Sequence, residues 1–552
     1  MSRYFDLGSY RRPITTASAE AGRWFNRGLV WAYGFNHEEA IRCFDRAIEC
    51  DPDCVLAYWG LAYAVGPNYN AQWDAFDRQA LARAVSRAHA ALAQAEQRAG
   101  RAKPVERALI RAMSARFPAA APPPDCTPWS AAYADAMREA YREHPDDLDV
   151  AALFADALMN LAPWALWDQG TGEPSAAACT AEARAVLERA LATDGGRAHP
   201  GLLHFYIHLM EMSPYPEIAL PAGDLLRELV PDAGHLLHMP THLDVLCGDY
   251  ARVVASNARA IAADDRYLAV EGGMNVYTLY RVHNYHFKIY GAMFLGQSQV
   301  ALDTAERLAA AIPEELLHVQ QPAMADLLEG FVPMRQHVLI RFGRWQEIIE
   351  TPLPADQELY PVTTAIILYS QGVAHAATGS VAKAGLTREE FRAAAARVPE
   401  SRTLFNNKCA DILKIAAAML DGEIDYRNGE FEHAFRHLRL AVELDDGLPY
   451  DEPWGWMQPA RHALGALLLE QGQVAEAAAV YRADLGLDST LARACQHPGN
   501  LWSLHGYHEC LVRLGQDELA GVIANQLKVA SAYADVPVTS SCYCRLSCHS
   551  AS

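Results

Sequence analysis

Two closely similar histidine pairs are the part of this sequence best suited to chemistry. His204-Phe-Tyr-Ile-His208 is followed 34 residues later by His238-Met-Pro-Thr-His242. A spacing of 34 residues is the period of one common helical-hairpin repeat, so the two pairs are expected on equivalent faces of neighbouring helices. Residues four apart on a helix lie about 5–6 Å from each other, and packed helix axes lie about 8–10 Å apart. Four imidazoles on such a grid can converge on one metal ion.

Further histidines extend the candidate metal site to six ligands, because His283 and His286 follow within about three repeats. Imidazole donors suit Zn, Cu, Fe or Ni. Six histidines could hold two ions with three ligands each, as suits dioxygen chemistry on Cu or Fe, and Glu211 would make a mixed histidine–carboxylate iron site. One zinc ion with three histidines and a water would instead favour hydrolysis. The sequence leaves these alternatives open.

Several known catalytic motifs are absent. Neither histidine pair reads His-Glu-x-x-His, so the zinc-protease mechanism with an adjacent glutamate base is not supported. The sequence also has no phosphate-binding P-loop, no dinucleotide-binding glycine motif after a strand and no serine nucleophile elbow. The candidate catalytic side chains are Glu211, His462, His505 and Glu509. The candidate substrate-contacting side chains are Trp59, Tyr63, Asn68 and Asn70.

The first part of the chain has a clear repeat pattern. Counting from Ala21, the informative positions 4, 8, 20, 24, 27 and 32 hold Trp24, Gly28, Ala40, Phe44, Ala47 and Pro52. This pattern resembles the tetratricopeptide repeat (TPR), and weaker matches follow along the chain. Apolar residues recur with a helical period almost throughout. We therefore predict an all-α, TPR-like α-solenoid superhelix of antiparallel hairpins.

The TPR resemblance implies which residues face the inner, concave surface. It places the metal-ligand candidates, together with His462 and Glu211, at inward positions of the first helix in their hairpins. Pro240 separates His238 from His242, and a proline inside a helix removes a hydrogen bond and kinks it. If the helix begins near Gly234, Pro240 lies close to the first turn and does little harm. If it begins earlier, the pair is kinked apart or a freed carbonyl faces the cavity.

Longer blocks resemble a widespread, poorly characterised family of bacterial and fungal TPR proteins. They follow the patterns HPxxxHxYIHxxE, GHxxHMPxH and HNxHF, at His199–Glu211, Gly234–His242 and His283–Phe287. This resemblance supports the TPR fold and implies no settled activity.

We predict three segments: residues 1–18 as an N-terminal segment, 19–530 as the TPR-like superhelix, and 531–552 as a cysteine-containing tail. Cys542, Cys544 and Cys548 in the tail could bind a soft metal or form a redox pair. A disordered terminus is the equal alternative.

The overall charge restricts the partners. The chain has 552 residues and a formal net charge of −20, which argues against nucleic acid and anionic membranes, because both attract basic surfaces. No stretch of about 18 apolar residues is present, so a cytoplasmic protein is expected. A small-molecule substrate is predicted, with a homo-oligomer or a protein partner on the TPR surface as further expectations.

Two main classes of function follow. The first is a metal-dependent enzyme that acts on a small molecule in the concave cavity, and we predict an oxidoreductase with His-bound Cu, Fe or Zn. The second is a non-enzymatic TPR scaffold for a protein or peptide, the usual role of such arrays; a zinc-dependent hydrolase is a further alternative. With 21 histidines in the chain, a lone histidine carries little information. The doubled pair at repeat spacing favours the enzyme.

Overall fold

The computed structural model describes residues 4–545, and nearly all of their regular structure is helical. The first helices are α1 (Ala19–Tyr33), α2 (His37–Cys50), α3 (Val55–Ala64), α4 (Arg78–Arg98), α5 (Pro104–Arg116), α6 (Thr127–Glu143), α7 (Leu148–Met159), α8 (Thr180–Leu191), α9 (Pro200–Glu211), α10 (Leu220–Leu226), α11 (Gly234–His238), α12 (Pro240–Leu246) and α13 (Tyr250–Glu271). The later helices are α14 (Thr278–Phe294), α15 (Ser298–Ala310), α16 (Glu314–Leu317), α17 (Met324–Leu328), α18 (Met334–Arg341), α19 (Trp345–Glu350), α20 (Pro361–Ala377), α21 (Val381–Ala395), α22 (Cys409–Arg427), α23 (Phe431–Asp446), α24 (Ala460–Glu470), α25 (Val474–Asp484), α26 (Leu501–Arg513) and α27 (Asp517–Ser531).

Short 3-10 helices and one small strand pair complete the regular structure of the described residues. The 3-10 helices are Trp73–Ala75, Ala99–Arg101, Gly196–Ala198, Pro216–Ala219, Glu329–Phe331 and Arg493–Cys495. Strands β1 (Thr403–Leu404) and β2 (Asn407–Lys408) pair antiparallel. The predicted all-α solenoid of helical hairpins is confirmed. In residues 4–545 no helix is long and apolar enough to cross a membrane.

The first hairpin shows how the repeat pattern builds the fold. The side chain of Ser18 accepts a hydrogen bond from the backbone N–H of Ala21 and caps the start of α1. The side chain of Asn36 caps α2 in the same way. A β-carbon on Gly28 would lie 2.8 Å from the Phe44 ring, so only a glycine lets the two helices approach this closely.

The chain divides into two compact units. The first unit combines the described part of residues 1–243 with Arg259–Gly272. It contains the hairpins α1–α2, α3–α4, α5–α6, α7–α8 and α9–α10, followed by α11 and most of α12. The second unit combines Asp244–Ala258 with residues 273–545. Its hairpins include α14–α15, α20–α21, α22–α23, α24–α25 and α26–α27.

Pro240 interrupts the helix that carries the second histidine pair. The helix begins at Gly234, which is the first of the two alternatives given in the sequence analysis. It is not continuous, however, because α11 stops at His238 and α12 starts at Pro240. The hydroxyl of Thr241 donates to the carbonyl of His238 at 2.7 Å, which satisfies a backbone acceptor beside the break. The break does not separate the rings, because Nε2 of His238 lies 2.7 Å from Nε2 of His242.

Candidate metal centre

Helix α9 carries the first histidine pair through the interior of the first unit. His199 caps its start by accepting from the backbone N–H of Leu202, and Pro200 occupies the first helical position, where its missing N–H costs nothing. Every residue of α9 is buried. A helix buried on all sides needs a partner for each polar side chain it carries, so the contacts of its histidines are informative.

His204 and His208 each use one ring nitrogen and leave the other without a hydrogen bond. Nδ1 of His204 lies 2.6 Å from the carbonyl oxygen of Tyr33, so it must carry the proton and donate. Nδ1 of His208 lies 2.9 Å from Oε1 of Glu211 and donates in the same way. Both Nε2 atoms are buried and have no hydrogen-bond partner. Each imidazole therefore presents an unused lone pair.

Glu211 links the two histidine pairs. Its second oxygen, Oε2, accepts from Nδ1 of His242 at 2.7 Å, while Oε1 accepts from His208. The Glu211 side chain has no exposed surface. A carboxylate that holds the Nδ1–H of metal-ligating histidines is a frequent second-layer feature of metal sites, because it orients the ring and makes Nε2 more basic. Glu211 thus contacts one imidazole of each pair, and its predicted catalytic role stays a prediction.

A further histidine, which the sequence analysis did not select, joins the two predicted pairs. The ring of His235, on α11, lies 4.9 Å from that of His204 and 6.3 Å from that of His208, measured between centroids. One nitrogen from each of these three histidines lies within 4.8 Å of the other two. Bonds of about 2.0–2.1 Å to a tetrahedral zinc place its nitrogens about 3.3 Å apart, so shifts of about 1 Å bring all three onto one ion.

His238 and His242 form the other side of this cluster. The ring of His242 lies 5.8 Å from that of His208, and the ring of His238 lies 6.0 Å from that of His235. Since Nδ1 of His242 donates to Glu211, its Nε2 is the acceptor in the contact with His238. An ion held by both rings would replace the proton between them. We call His204, His208, His235, His238 and His242 the histidine cluster.

Burial keeps His204 and His208 uncharged. Removal from water lowers the pKa of His204 to about 3, although its hydrogen bond to Tyr33 opposes this. Burial also lowers the pKa of His208 well below its usual range, and His204 and His238 add to that effect. Neutral imidazole is the form that binds metals.

Aromatic rings enclose the cluster. The ring of Phe35 lies 4.6 Å from that of His204, 5.7 Å from that of His208 and 5.4 Å from that of His235. The Tyr69 ring lies 4.9 Å from His208. These apolar walls exclude water, so a charged species inside would interact strongly with its ligands.

The predicted substrate residues lie on α3 and in the loop after it, in the first unit. The rings of Trp59 and Tyr63 stack at 5.6 Å, and the Tyr63 hydroxyl donates to Asp156 at 3.0 Å. The Asn68 side chain accepts from the backbone N–H groups of Asn70 and Ala71 and so shapes the loop. This loop carries Tyr69 onto His208, which connects the predicted substrate residues to the cluster through a side chain that the sequence analysis did not select.

The remaining metal-ligand candidates, His283 and His286, belong to the second unit. His283 packs against the Phe405 ring at 4.6 Å. Nε2 of His286 lies 2.9 Å from the sulfur of Met457, and burial lowers the pKa of His286 to about 3. Their predicted role as metal ligands stays a prediction.

His462 lies in a separate polar network of the second unit. Its Nε2 lies 3.1 Å from Asp484, and its Nδ1 lies 2.8 Å from the guanidinium of Arg341. Because the guanidinium can only donate, Nδ1 accepts and Nε2 donates. Asp484 also accepts from His497, Asn500 and Ser503. Both ring nitrogens of His462 therefore have hydrogen-bond partners, and its predicted catalytic role stays a prediction.

His505 and Glu509 both lie on α26. Glu509 accepts two hydrogen bonds from Arg545, at 2.6 and 2.9 Å. Burial raises the pKa of Glu509, but the ion pair with Arg545 outweighs that effect and lowers it. Burial lowers the pKa of His505. The geometry gives Glu509 a role in anchoring the C-terminal segment, and its predicted catalytic role stays a prediction.

Comparison with known proteins identifies the repeat. A family model described as tetratricopeptide repeat matches residues 21–54, which cover the α1–α2 hairpin. This stretch is a TPR. The chain therefore contains a hairpin that matches the TPR model within an all-α helical-repeat fold, and the predicted membership in the bacterial and fungal family stays a prediction. No curated protein matches the chain.

Two solved structures align over nearly the whole length of the TPR chain. Yeast Tom70 is 12% identical, with 93% of each chain covered and a TM-score of 0.27. The structure of Naa15/Naa10 bound to HypK-THB gives 14% identity, 94% coverage of this chain, 84% of that chain and a TM-score of 0.21. At such TM-scores the fold assignment depends on the helices of this chain themselves.

Proposed function

We propose that this TPR protein binds a transition-metal ion in the histidine cluster and uses it in oxidation chemistry on a small molecule. The observation that carries the proposal is the pair of buried Nε2 atoms on His204 and His208 that have no hydrogen-bond partner. A buried polar atom without a partner costs about 1–3 kcal/mol. Two such atoms on neighbouring turns of one helix are readily explained by a ligand that accepts both lone pairs.

The donor set restricts what that ligand is. His204, His208 and His235 offer three neutral nitrogens, and Glu211 fixes the proton of His208 on the nitrogen that faces away from the site. Such donors suit Zn, Cu and Fe and are poor ligands for Mg or Ca, which prefer oxygen. Copper or iron held there would supply electron transfer to dioxygen, which is the chemistry that the oxidoreductase part of the proposal requires.

The burial of the site restricts the substrate. Each histidine in the cluster is at most 2% exposed, and Phe35 and Tyr69 cover the rings. A site of this kind suits a small substrate that can pass between packed side chains. It does not suit a folded protein or a nucleic acid.

Elemental analysis of the purified protein tests the metal site. His204→Ala is expected to lose most of the bound metal while far-UV circular dichroism stays close to wild type, because the fold depends on apolar packing spread over many hairpins. His37→Ala is the matched control, since His37 is a half-buried histidine of the same unit outside the cluster. Loss of metal together with helicity would indicate a structural ion, because its binding energy is then folding energy. Wild-type protein that takes up no Cu, Fe or Zn would refute the proposal.

Dioxygen uptake tests the oxidation chemistry separately. Copper- or iron-loaded wild-type protein with ascorbate as electron donor is expected to consume dioxygen faster than His204→Ala at equal protein concentration. Metal bound stoichiometrically without such a difference would keep the metal site and refute the oxidoreductase role.

A protein-binding scaffold is the second candidate, and α27 favours it. Its outer face exposes apolar side chains at helical spacing: Leu519 at 40%, Val522 at 55% and Val529 at 65%. The end repeats of solenoids usually carry a polar outer face, and an exposed apolar stripe favours protein contacts. Self-association through this face would be detected by sedimentation velocity and abolished by Val522→Glu. A monomeric wild type would refute self-association through this face.

A further inference from the structure

The C-terminal segment Ser540–Arg545 is fastened to the second unit by several polar contacts. The guanidinium of Arg341 donates to the carbonyl of Ser541, and that of Arg427 donates to the carbonyl of Cys544. The Ser541 hydroxyl donates to the carbonyl of His462 at 2.8 Å. At the end of the segment, Arg545 pairs with Glu509. These contacts hold the segment whether or not its cysteines are joined.

Within this segment Cys542 and Cys544 form a disulfide across a single intervening residue, with Cα atoms 5.2 Å apart. A disulfide restrains the unfolded chain less as the loop it closes becomes shorter. A bridge over one residue therefore adds little to a segment already held by arginines. Structural stabilisation is a poor explanation of this bridge.

The surroundings of the two sulfurs favour exchange chemistry. The backbone N–H of Cys544 donates to Sγ of Cys542 at 3.2 Å, and both cysteines line a small cavity with Arg341, His462 and Trp456. Hydrogen-bond donors and a nearby cation such as Arg341 favour a thiolate over a thiol. Cys542 is half-buried, whereas Cys544 is 3% exposed. Because Cys542 is the more exposed of the two, we expect an incoming thiol to attack its sulfur.

We propose that Cys542 and Cys544 are a reversible thiol–disulfide redox site that exchanges with small thiols of the glutathione class. An incoming thiolate attacks Sγ of Cys542, the Cys542–Cys544 bond breaks, and its electron pair leaves on Sγ of Cys544 as a thiolate. A second small-molecule thiolate then attacks the small-molecule sulfur of the mixed disulfide, the bond from that sulfur to Sγ of Cys542 breaks, and Cys542 leaves as a thiolate. The products are two protein thiols, after protonation, and one small-molecule disulfide.

The sequence allows this site to be followed alone. Trypsin cuts after Lys528 and Arg545, and the peptide between them, residues 529–545, contains Cys542 and Cys544 and no other cysteine. Folded full-length protein is equilibrated with glutathione and glutathione disulfide at several ratios, alkylated with N-ethylmaleimide and digested. The peptide is expected to change from two labels in excess glutathione to none in excess glutathione disulfide, and to return when the ratio is reversed.

Single variants test which sulfur is attacked. Cys544→Ser leaves Cys542, which is expected to take up one glutathione from glutathione disulfide faster than Cys544 does in Cys542→Ser. Cys510→Ala is the matched control, because Cys510 packs in the same apolar cluster as the pair and its removal is expected to leave the two-label change intact.

Three results would overturn the proposal. The first is a peptide that carries two labels even in glutathione disulfide alone. The second is a bridge that resists excess glutathione until the protein unfolds. The third is a loss of the change in Cys510→Ala, which would mean that Cys510 is the true partner. Circular dichroism of each variant shows whether the fold is retained.

Discussion

Replacing Glu211 with glutamine tests whether this carboxylate prepares the histidine cluster for metal. In the wild type, Oε1 accepts from Nδ1 of His208 at 2.9 Å and Oε2 accepts from Nδ1 of His242 at 2.7 Å. A glutamine amide has only one oxygen. Its NH₂ group must face one of the two Nδ1–H groups, so a donor meets a donor.

The histidine that faces the amide NH₂ relieves the conflict by moving its proton to Nε2. That tautomer accepts at Nδ1, but it no longer has a lone pair for the metal at Nε2. Changes to such second-layer partners typically reduce metal affinity about 10- to 100-fold. Since each factor of ten is about 1.4 kcal/mol, we expect Glu211→Gln to weaken binding by about 1.4–2.7 kcal/mol.

Competition with a coloured zinc chelator measures this affinity for wild type and variant. Glu106→Gln is the matched control, because Glu106 is also a buried glutamate of the first unit and accepts from the backbone N–H groups of Thr15 and Lys103. The control is expected to bind zinc like wild type. Equal affinities of Glu211→Gln and wild type would refute the orienting role, and a loss far above 100-fold would indicate that Glu211 binds the ion directly.

Three further predictions concern stability. Burial raises the pKa of Asp156 to about 6, so its protonated form stabilises the fold below the unfolded pKa of about 3.9, and this contribution is lost as the pH rises through about 6. The free energy of unfolding of Asp156→Asn minus that of wild type, measured with urea, should therefore rise by up to about 3 kcal/mol between about pH 4 and pH 8. A difference that does not change with pH would contradict the raised pKa. Asp484→Asn should lower the free energy of unfolding by about 3–5 kcal/mol, because Asp484 is fully buried and joins two histidines; thermal unfolding measures this, and a loss below about 1 kcal/mol would count against the network. Gly465→Ala should cost about 1–3 kcal/mol, because its β-carbon would lie 2.5 Å from the Tyr481 ring, whereas Gly521→Ala, with nothing within 4 Å, should be neutral or stabilising; equal effects on the melting temperature would contradict the close packing.

The repeat pattern made much of the fold predictable. Helical periodicity depends on local residue order, so the all-α class and the first hairpin follow from residues such as Gly28 and Phe44. Later hairpins match the repeat weakly, and there the helix breaks depend on single residues. Pro240 shows this, since the sequence left its effect open and the structure splits the helix at that residue.

The candidate site was predictable only in part. The four paired histidines are revealed by their spacing, which is a local signal. His235 was missed, although it stands three residues before His238, and residues three apart share a helix face. The role of Glu211 could not be derived from the sequence, because it depends on how α9 and α12 pack together and not on the position of Glu211 in its own helix.

Phe35 connects the turn of the first hairpin to the histidine cluster. Helices often end with a glycine in the left-handed conformation, and Gly34 stands at the end of α1. The structure instead gives the left-handed φ of 56° to Phe35, a conformation that costs a non-glycine residue about 1–3 kcal/mol. Its ring contacts those of His204, His208 and His235. Tyr33, two residues before Phe35, supplies the carbonyl oxygen that accepts from Nδ1 of His204. One strained turn therefore both orients a candidate ligand and covers the three candidate ligands with an aromatic ring, so the first TPR hairpin is part of the site as well as its support.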